Sequence, residues 1–159
     1  METNLFEKMV MRIKNEEGFS VQPFWDNKQW TWGYGTQAPG GTDRDYWKDS
    51  FGMPKIDMRR ADALLRNHLQ IVFQEYDDIF NGHFEKINPV RRMALLDMIF
   101  NLGKPSFLHF RKMLAEIASD SPNWYAVAYH AWDSQWRQQV HNRADRVISE
   151  LATGEERTA

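Results

Sequence analysis

The sequence predicts a mainly helical α+β fold, in which a small β-hairpin lobe and a helical lobe are joined by a long helix. Three observations predict it. Residues 24–34 alternate in a strand-like pattern rich in aromatic side chains, and residues 57–80 and 89–103 carry two separate helical patterns. The 159 residues are enough for one domain with a core of its own.

We therefore expect a single domain over residues 1–159. Its parts are a small lobe at about 15–60, a linking helix at about 57–80, a helical lobe at about 80–153 that includes the N-terminal helix, and a tail at 154–159.

The first predicted helix runs from about Asn4 to Glu17. Asn4 and Glu7 resemble a capping box, and apolar residues then recur at helical spacing: Leu5, Phe6, Met9, Val10 and Ile13. Gly18 suits a helix C-cap, because a glycine adopts a positive φ without strain. Glu17 is therefore expected at the C-terminus of this helix.

A tight hairpin is predicted next, with two short strands between Phe24 and Tyr34 around the turn Asp26-Asn27-Lys28-Gln29. Asp26 and Thr31 flank this turn, so they can face the Glu17 carboxyl across a groove. Two carboxyl groups on either side of a bond are the minimum set for glycosidic cleavage. The spacing alone favours ordinary structural roles, because a surface helix residue and a turn-forming aspartate give the same pattern.

The rest of the chain reads as helical after one irregular segment. Residues 37–56, rich in Gly and Pro, are too irregular for a long element and are expected to form a lip of the groove. Asp57 can cap a long helix that ends near Phe80, before Asn81-Gly82. Residues 89–103 are apolar nearly all round, which predicts a buried core helix. Shorter helices are expected near residues 107–118, 122–132 and 142–151.

Three separated stretches of the sequence carry the motifs of one enzyme family. They are Glu17-Gly18 with Phe24-Trp25-Asp26 and Thr31-Trp32-Gly33-Tyr34-Gly35, then residues 90–103, then Ser134-Gln135-Trp136 with residues 142–148. Together they cover about half of the chain, in order, and the sequence resembles the phage T4 type lysozyme family, glycoside hydrolase family 24. The resemblance implies a lysozyme-like two-lobe fold and the activity of an N-acetylmuramidase.

The resemblance also implies a role for each matching residue. Glu17 would be the general acid that protonates the oxygen leaving N-acetylmuramic acid at its β-1,4 link to N-acetylglucosamine. Asp26 and Thr31 would hold the attacking water, which inverts the anomeric carbon. The substrate-binding and supporting positions are Gly35 and Asn101, which match groove-lining residues, and Arg143, which matches a basic residue that pairs with the catalytic glutamate.

The leading functional hypothesis is an inverting peptidoglycan hydrolase, either a phage endolysin or a prophage-derived autolysin. A lytic transglycosylase is the alternative enzyme, but it needs only one catalytic glutamate, and the presence of Asp26 and Thr31 argues against it. A repurposed peptidoglycan-binding module would be expected to lose the acid or the water-holding pair. The sequence departs from the family at Thr36, where many relatives have histidine.

Composition excludes several classes of protein. The chain has 20 Lys and Arg residues against 22 Asp and Glu residues, so the overall basic footprint of a nucleic-acid-binding protein is missing. With no cysteine, it has neither disulfides nor a thiol nucleophile. Its five histidines show no i, i+4 pairing, so we expect no metal site and no cofactor.

Localisation follows from the N-terminal residues and from hydropathy. Charged residues are scattered through the first helix, which lacks the apolar core of a signal peptide, and no run of 18 apolar residues occurs. We expect a monomer without stable membrane association, synthesised in the bacterial cytoplasm. Its partner would be bacterial peptidoglycan, reached in the periplasm after release or export.

Overall fold

The computed structural model describes residues 3–48, 52–81 and 87–157. In chain order the elements are α1 (Thr3–Glu17), β1 (Ser20–Trp25), β2 (Trp30–Gly33), β3 (Thr36–Gln37), α2 (Met58–Ile79), α3 (Pro89–Leu102), α4 (Lys104–Phe107), α5 (Arg111–Ile117), α6 (Trp124–Trp132), α7 (Gln135–Gln139) and α8 (His141–Thr153). The predicted mainly helical α+β fold with a small antiparallel sheet is confirmed.

The chain forms two compact units, residues 2–71 and residues 72–159, which we call the N-terminal unit and the C-terminal unit. The N-terminal unit contains α1, the sheet and the first part of α2. The C-terminal unit contains the end of α2 and all later helices. The predicted lobe boundaries stay a prediction.

In the N-terminal unit, α1 buries the five apolar residues whose spacing predicted it. Gly18 has a φ of +66°, as expected for a glycine C-cap, and its N–H donates to the Lys14 carbonyl at 3.0 Å. Arg66 of α2 binds Glu7 of α1 at 2.7 Å, and Lys14 binds Asp62 at 2.7 Å. These ion pairs tie the two helices together within the unit.

The sheet has the order β1-β2-β3, and both pairs of strands are antiparallel. Phe24 pairs with Thr31, and Thr31 pairs with Gln37, so Thr31 occupies the central strand. Both predicted strands are present, but β1 begins at Ser20, before the predicted start at Phe24. The strand β3 was not predicted, because two residues are too few to show an alternating pattern.

The start of α2 also agrees with the sequence. The Asp57 side chain accepts a hydrogen bond from the Arg60 N–H at 2.8 Å, so the predicted cap is confirmed. Residues 37–48 form turns without a helix or a longer strand, as expected for the irregular segment. Residues 49–51 of that segment, and the predicted break at Gly82, lie outside the described residues.

In the C-terminal unit, α3 is the core helix that the apolar pattern predicted. Eight consecutive residues, Met93–Phe100, are buried. The Asn88 side chain caps the helix by accepting from the Arg91 N–H at 2.9 Å, and Pro89 occupies the first turn. The Arg91 guanidinium donates to the carbonyls of Leu151 and Ala152 near the end of α8, which fixes α8 against α3.

The later helices are shorter and more numerous than predicted. The helix expected over residues 107–118 is divided, because α4 ends at Phe107 and α5 begins at Arg111. The five-residue α7 was also missed, since a single turn carries no periodic signal. The helices expected at 122–132 and 142–151 are present as α6 and α8. In the described ranges, no helix is both long and apolar enough to cross a membrane.

Candidate functional site

The turn between β1 and β2 holds the Asp26 carboxylate in a fixed position. The Asp26 N–H donates to the Gln29 carbonyl at 3.1 Å, and Asn27 takes the left-handed conformation with a φ of 82°. Asp26 Oδ1 accepts from the backbone N–H groups of Lys28 and Gln29 at 2.9 Å and 2.8 Å. An aspartate that bonds to its own turn in this way is a common turn former. Here both backbone bonds use Oδ1, so Oδ2 of Asp26 is available for a contact outside the turn.

Thr31 completes a pair with that second oxygen. Its hydroxyl donates to Asp26 Oδ2 at 2.8 Å, and the residue is only 3% exposed. The sequence predicted that Asp26 and Thr31 flank the turn, and the structure brings them into contact. Because the hydroxyl hydrogen is directed at the carboxylate, the Thr31 oxygen can still accept a hydrogen from a third group.

The surroundings of Asp26 favour its charged form. Burial acts in the opposite direction, but the hydrogen bonds from the N–H groups of Gln29 and Lys28 and from the Thr31 hydroxyl outweigh it. The pKa of Asp26 is therefore lower than that of an ordinary aspartate. At neutral pH this group is an ionised acceptor, which suits it to orient a water molecule.

Glu17 and Gly35 meet in the N-terminal unit. Glu17 is the last residue of α1 and is half-buried. A Cβ atom at Gly35 would lie 2.6 Å from Glu17 Oε2 and 2.8 Å from Cδ, which is far too close. Gly35 also has a φ of +81°. A glycine is thus required at position 35, both for the backbone conformation and to leave room for the Glu17 carboxyl group.

His68 of α2 belongs to the electrostatic surroundings of Glu17. Burial lowers the pKa of His68, and the negative charge of Glu17 acts against that shift. In the sequence, His68 stands on a helical face with Ala61, Leu65 and Val72. A titratable side chain on an otherwise apolar helical face could have drawn attention to His68, but an ordinary core histidine gives the same pattern.

In the C-terminal unit, Asn101 is oriented by a neighbour. Its Oδ1 accepts from the Trp136 indole N–H at 2.7 Å, and Trp136 is 4% exposed. Trp136 is therefore a packing residue and offers no exposed face on which a sugar could stack. The structure adds that Trp136 fixes the carboxamide of half-buried Asn101 near the end of α3.

Arg143 of α8 binds a carboxylate that the sequence analysis overlooked. Its Nε donates to Asp97 Oδ1 at 2.9 Å, its Nη2 lies 2.7 Å from the same oxygen as an ion pair, and Asp97 is completely buried. The expected pairing of Arg143 with Glu17 stays a prediction. Asp97 could have been found, because a charged residue inside an apolar helix needs a partner of opposite charge.

The residues of interest therefore lie in both units. Glu17, Asp26, Thr31 and Gly35 belong to the N-terminal unit, and Asn101 and Arg143 belong to the C-terminal unit. Thr36, the residue at the position where the sequence departs from the family, is 8% exposed. Among the described residues, no group of three or more His, Asp or Glu side chains could hold a metal ion.

The family profile described as phage lysozyme matches residues 14–147. The chain belongs to the phage lysozyme family. The matched range includes all six residues that the sequence singled out, from Glu17 to Arg143. The family that the motifs suggested is thus shown by a match over most of the chain.

Two probable T4-type lysozymes are among the proteins to which the chain is similar. The probable T4-type lysozyme 1 of Dictyostelium discoideum is 29% identical over 108 residues, which is 67% of this chain and 62% of that protein. The probable T4-type lysozyme 2 of the same organism is 26% identical over 103 residues, 64% of this chain and 59% of that protein. The matches thus span about three-fifths of these two relatives.

The third relative is the pre-baseplate central spike protein of Enterobacteria phage T4. It is 26% identical over an alignment of 166 positions, gaps included, which covers 92% of this chain but 28% of the spike protein. A sequence like that of this chain therefore also occurs as one part of a much longer phage protein.

Proposed function

We propose that the protein is a lysozyme that hydrolyses the β-1,4 bond between N-acetylmuramic acid and N-acetylglucosamine in bacterial peptidoglycan. The reaction is a single displacement that inverts the anomeric carbon. The contact between Asp26 Oδ2 and the Thr31 hydroxyl, 2.8 Å long and fixed by the turn, carries this proposal. An ionised carboxylate beside an oriented hydroxyl is an arrangement that can hold one water molecule.

Asp26 and Thr31 have complementary parts in orienting the water. The Thr31 hydroxyl donates its hydrogen to Asp26, so its oxygen accepts one hydrogen from the water, while Asp26 accepts the other. The lone pair of the water then attacks the anomeric carbon. As the new C–O bond forms, the water transfers a proton to the Asp26 carboxylate.

Glu17 supplies the second proton transfer. It donates its carboxyl proton to the glycosidic oxygen as the C–O bond to the leaving sugar breaks. Asp26 gains a proton from the water and Glu17 gives one to the leaving sugar, so the protein as a whole neither gains nor loses a proton. The absence of a side chain at Gly35 gives the carboxyl the space that it occupies beside the hairpin.

The C-terminal unit contributes binding and support in this proposal. Asn101, whose carboxamide is oriented by Trp136, hydrogen-bonds to the sugar strand. Arg143, which binds Asp97, is the supporting basic residue. The protein acts as a phage endolysin or a prophage-derived autolysin. Membership of the phage lysozyme family supports this part of the proposal.

The products of digested sacculi test the function. Mass spectrometry should find muropeptides with reducing N-acetylmuramic acid ends, and NMR of fresh products should show the α-anomer first. A Glu17→Gln variant is the blank. Chiefly 1,6-anhydro ends would establish a transglycosylase, a β-anomer formed first would exclude inversion, and binding without release would identify a non-hydrolytic module.

A further inference from the structure

The outer face of α6 exposes three aromatic side chains in a row. Tyr125 is 73% exposed, Tyr129 55% and Trp132 48%. Spacings of four and three residues place them on one side of the helix, over a length of about 10 Å at 1.5 Å per residue. We call these three residues the α6 aromatic stripe. They are unusual, because large aromatic side chains normally bury most of their surface.

Two rings of the stripe, those of Tyr129 and Trp132, have neighbours that restrict their orientations. Tyr129 and Trp132 have centroids 6.0 Å apart and planes inclined by only 31°, so their faces are directed similarly. The Arg137 guanidinium lies 5.6 Å from the Trp132 ring centroid and is itself bound to Asp145. Fixed ring orientations reduce the entropy that a ligand must overcome on binding.

The area of the stripe decides between a second copy of the chain and a smaller ligand. An aromatic side chain offers about 150–250 Å², so three rings that are half to three-quarters exposed present about 260–440 Å². A stable protein interface needs roughly 800 Å² from each partner. The stripe is too small for a dimer, but it is large enough for a few sugar rings.

The neighbourhood of the stripe indicates a ligand with both apolar and polar faces. Tyr129 also lines a cleft of about 470 Å³ whose other walls include Arg111, Lys112, His130 and Asp133. These side chains can donate or accept hydrogen bonds, whereas the rings offer flat apolar faces. A sugar ring combines C–H faces with hydroxyl edges, so it matches both parts of this surface.

We propose that the α6 aromatic stripe binds the glycan strand of peptidoglycan, as a contact separate from the catalytic residues. The sugar C–H groups, which carry partial positive charge, stack on the negative faces of the rings. This inference rests on the proposed function for the identity of the glycan. The stripe keeps the enzyme on an insoluble wall between successive cleavages.

Binding to purified sacculi tests the proposal in a Glu17→Gln background, which keeps the substrate intact. Tyr125→Ser, Tyr129→Ser and Trp132→Ser are combined in one variant and also made singly. Co-sedimentation should show about tenfold weaker binding for the triple variant. Met11→Ser and Ile71→Ser are the matched controls, because these apolar residues are 59% and 60% exposed on other helices. They should bind like the parent.

Activity with Glu17 restored provides a second readout. The triple variant should hydrolyse soluble glycan fragments at the parent rate but degrade intact sacculi several-fold more slowly. Equal binding by the parent and the triple variant would overturn the proposal. The proposal would also be overturned if the parent formed a dimer that the triple variant does not form. The same holds if the parent bound anionic lipid vesicles and the triple variant did not. If neither protein hydrolyses peptidoglycan but only the parent binds it, the proposed function fails and the stripe inference stands.

Discussion

Asp26 and Asp97 show how differently the two units use a carboxylate. Asp26 lies on an exposed turn, where backbone N–H groups and the Thr31 hydroxyl hold it. Asp97 is completely buried in α3 and binds Arg143. Water and substrate can reach an exposed carboxylate. A buried carboxylate needs a partner of opposite charge, because an unpaired charge in the interior is costly. The first arrangement suits chemistry, and the second fixes a side chain.

The strand beside Asp26 and the helix that contains Asp97 also differ in how much of them is buried. Asp26 follows a six-residue strand in a sheet whose last strand has two residues. Asp97 lies within eight consecutive buried positions of α3. Elements with few buried contacts open at low free-energy cost, and elements with many open only near global unfolding. Amide hydrogens of β1, where only Pro23 is buried, should therefore exchange faster than those of α3.

The largest expected effect concerns the proposed proton donor. Glu17→Gln keeps the shape and hydrogen-bonding capacity of the side chain but cannot donate the proton, so turnover should fall about 10²–10⁴-fold. The free energy of unfolding should change little. Turnover of sacculi and thermal melting measure the two effects, with Glu155→Gln in the exposed C-terminal segment as the control. Clearing of sacculi at the parent rate would remove Glu17 from the mechanism.

Substitution of the two aspartates tests the contrast between them. Asp97→Ala leaves the Arg143 guanidinium without its carboxylate, and breaking such a buried pair costs about 3–5 kcal/mol. Asp26→Asn should leave the free energy of unfolding within about 1 kcal/mol, because the residue is exposed, yet it should abolish most turnover. Urea unfolding and sacculus turnover separate the two. A stable Asp97→Ala variant would contradict the division of roles drawn here.

Thr31→Val tests the hydroxyl that links the turn to β2. It removes the oxygen that accepts a hydrogen from the attacking water and the bond that orients Asp26, so turnover should fall about 10²-fold. It should also raise the pKa of Asp26, since one of the bonds that lower it is lost. The acidic limb of the pH–rate profile should then move to higher pH. Thr31→Ser should recover most of the loss.

Thr36→Val is the matched control for that experiment. Thr36 is also buried in the sheet, but its hydroxyl donates to the Trp32 carbonyl at 3.4 Å, and no carboxylate of the described residues accepts from it. The same exchange of a hydroxyl for a methyl group should leave the pH–rate profile unchanged. Equal effects of the two substitutions would mean that sheet packing, and not the contact with Asp26, explains the loss.

The sequence predicted those parts of the molecule that local rules determine. Apolar periodicity placed α1 and α3, a glycine marked the end of α1, and Asp57 marked the start of α2. The division between α4 and α5 could not be predicted, because short helices leave no periodic pattern. The catalytic candidates came from motif resemblance, since the spacing of Glu17 and Asp26 alone favoured ordinary structural roles.

Side-chain partners that are distant in sequence were beyond these rules. Asp97 and Arg143 lie 46 positions apart, and Trp136 lies 35 positions from Asn101. Only the folded chain shows that each pair meets. The same holds for His68, whose relation to Glu17 depends on how α2 packs against α1 within the N-terminal unit.

The smallest expected effect is the pH dependence that His68 gives to stability. Burial lowers the pKa of His68 below its ordinary 6.5, so between the folded and unfolded values the unfolded chain binds more protons. The free energy of unfolding therefore rises with pH in that window and falls on acidification below about pH 6.5. His68→Gln should remove this part of the slope. Unfolding measured between pH 5 and 7.5 tests it, with exposed His109→Gln as the control.

Glu17 sharpens that last prediction, because its negative charge raises the pKa of His68 against the effect of burial. In the Glu17→Gln variant the pKa of His68 should fall further, and the window of pH-dependent stability should widen toward acid. NMR titration of the His68 ring protons in both proteins measures the change directly. An identical titration would mean that the two side chains do not interact, and that burial alone sets the pKa of His68.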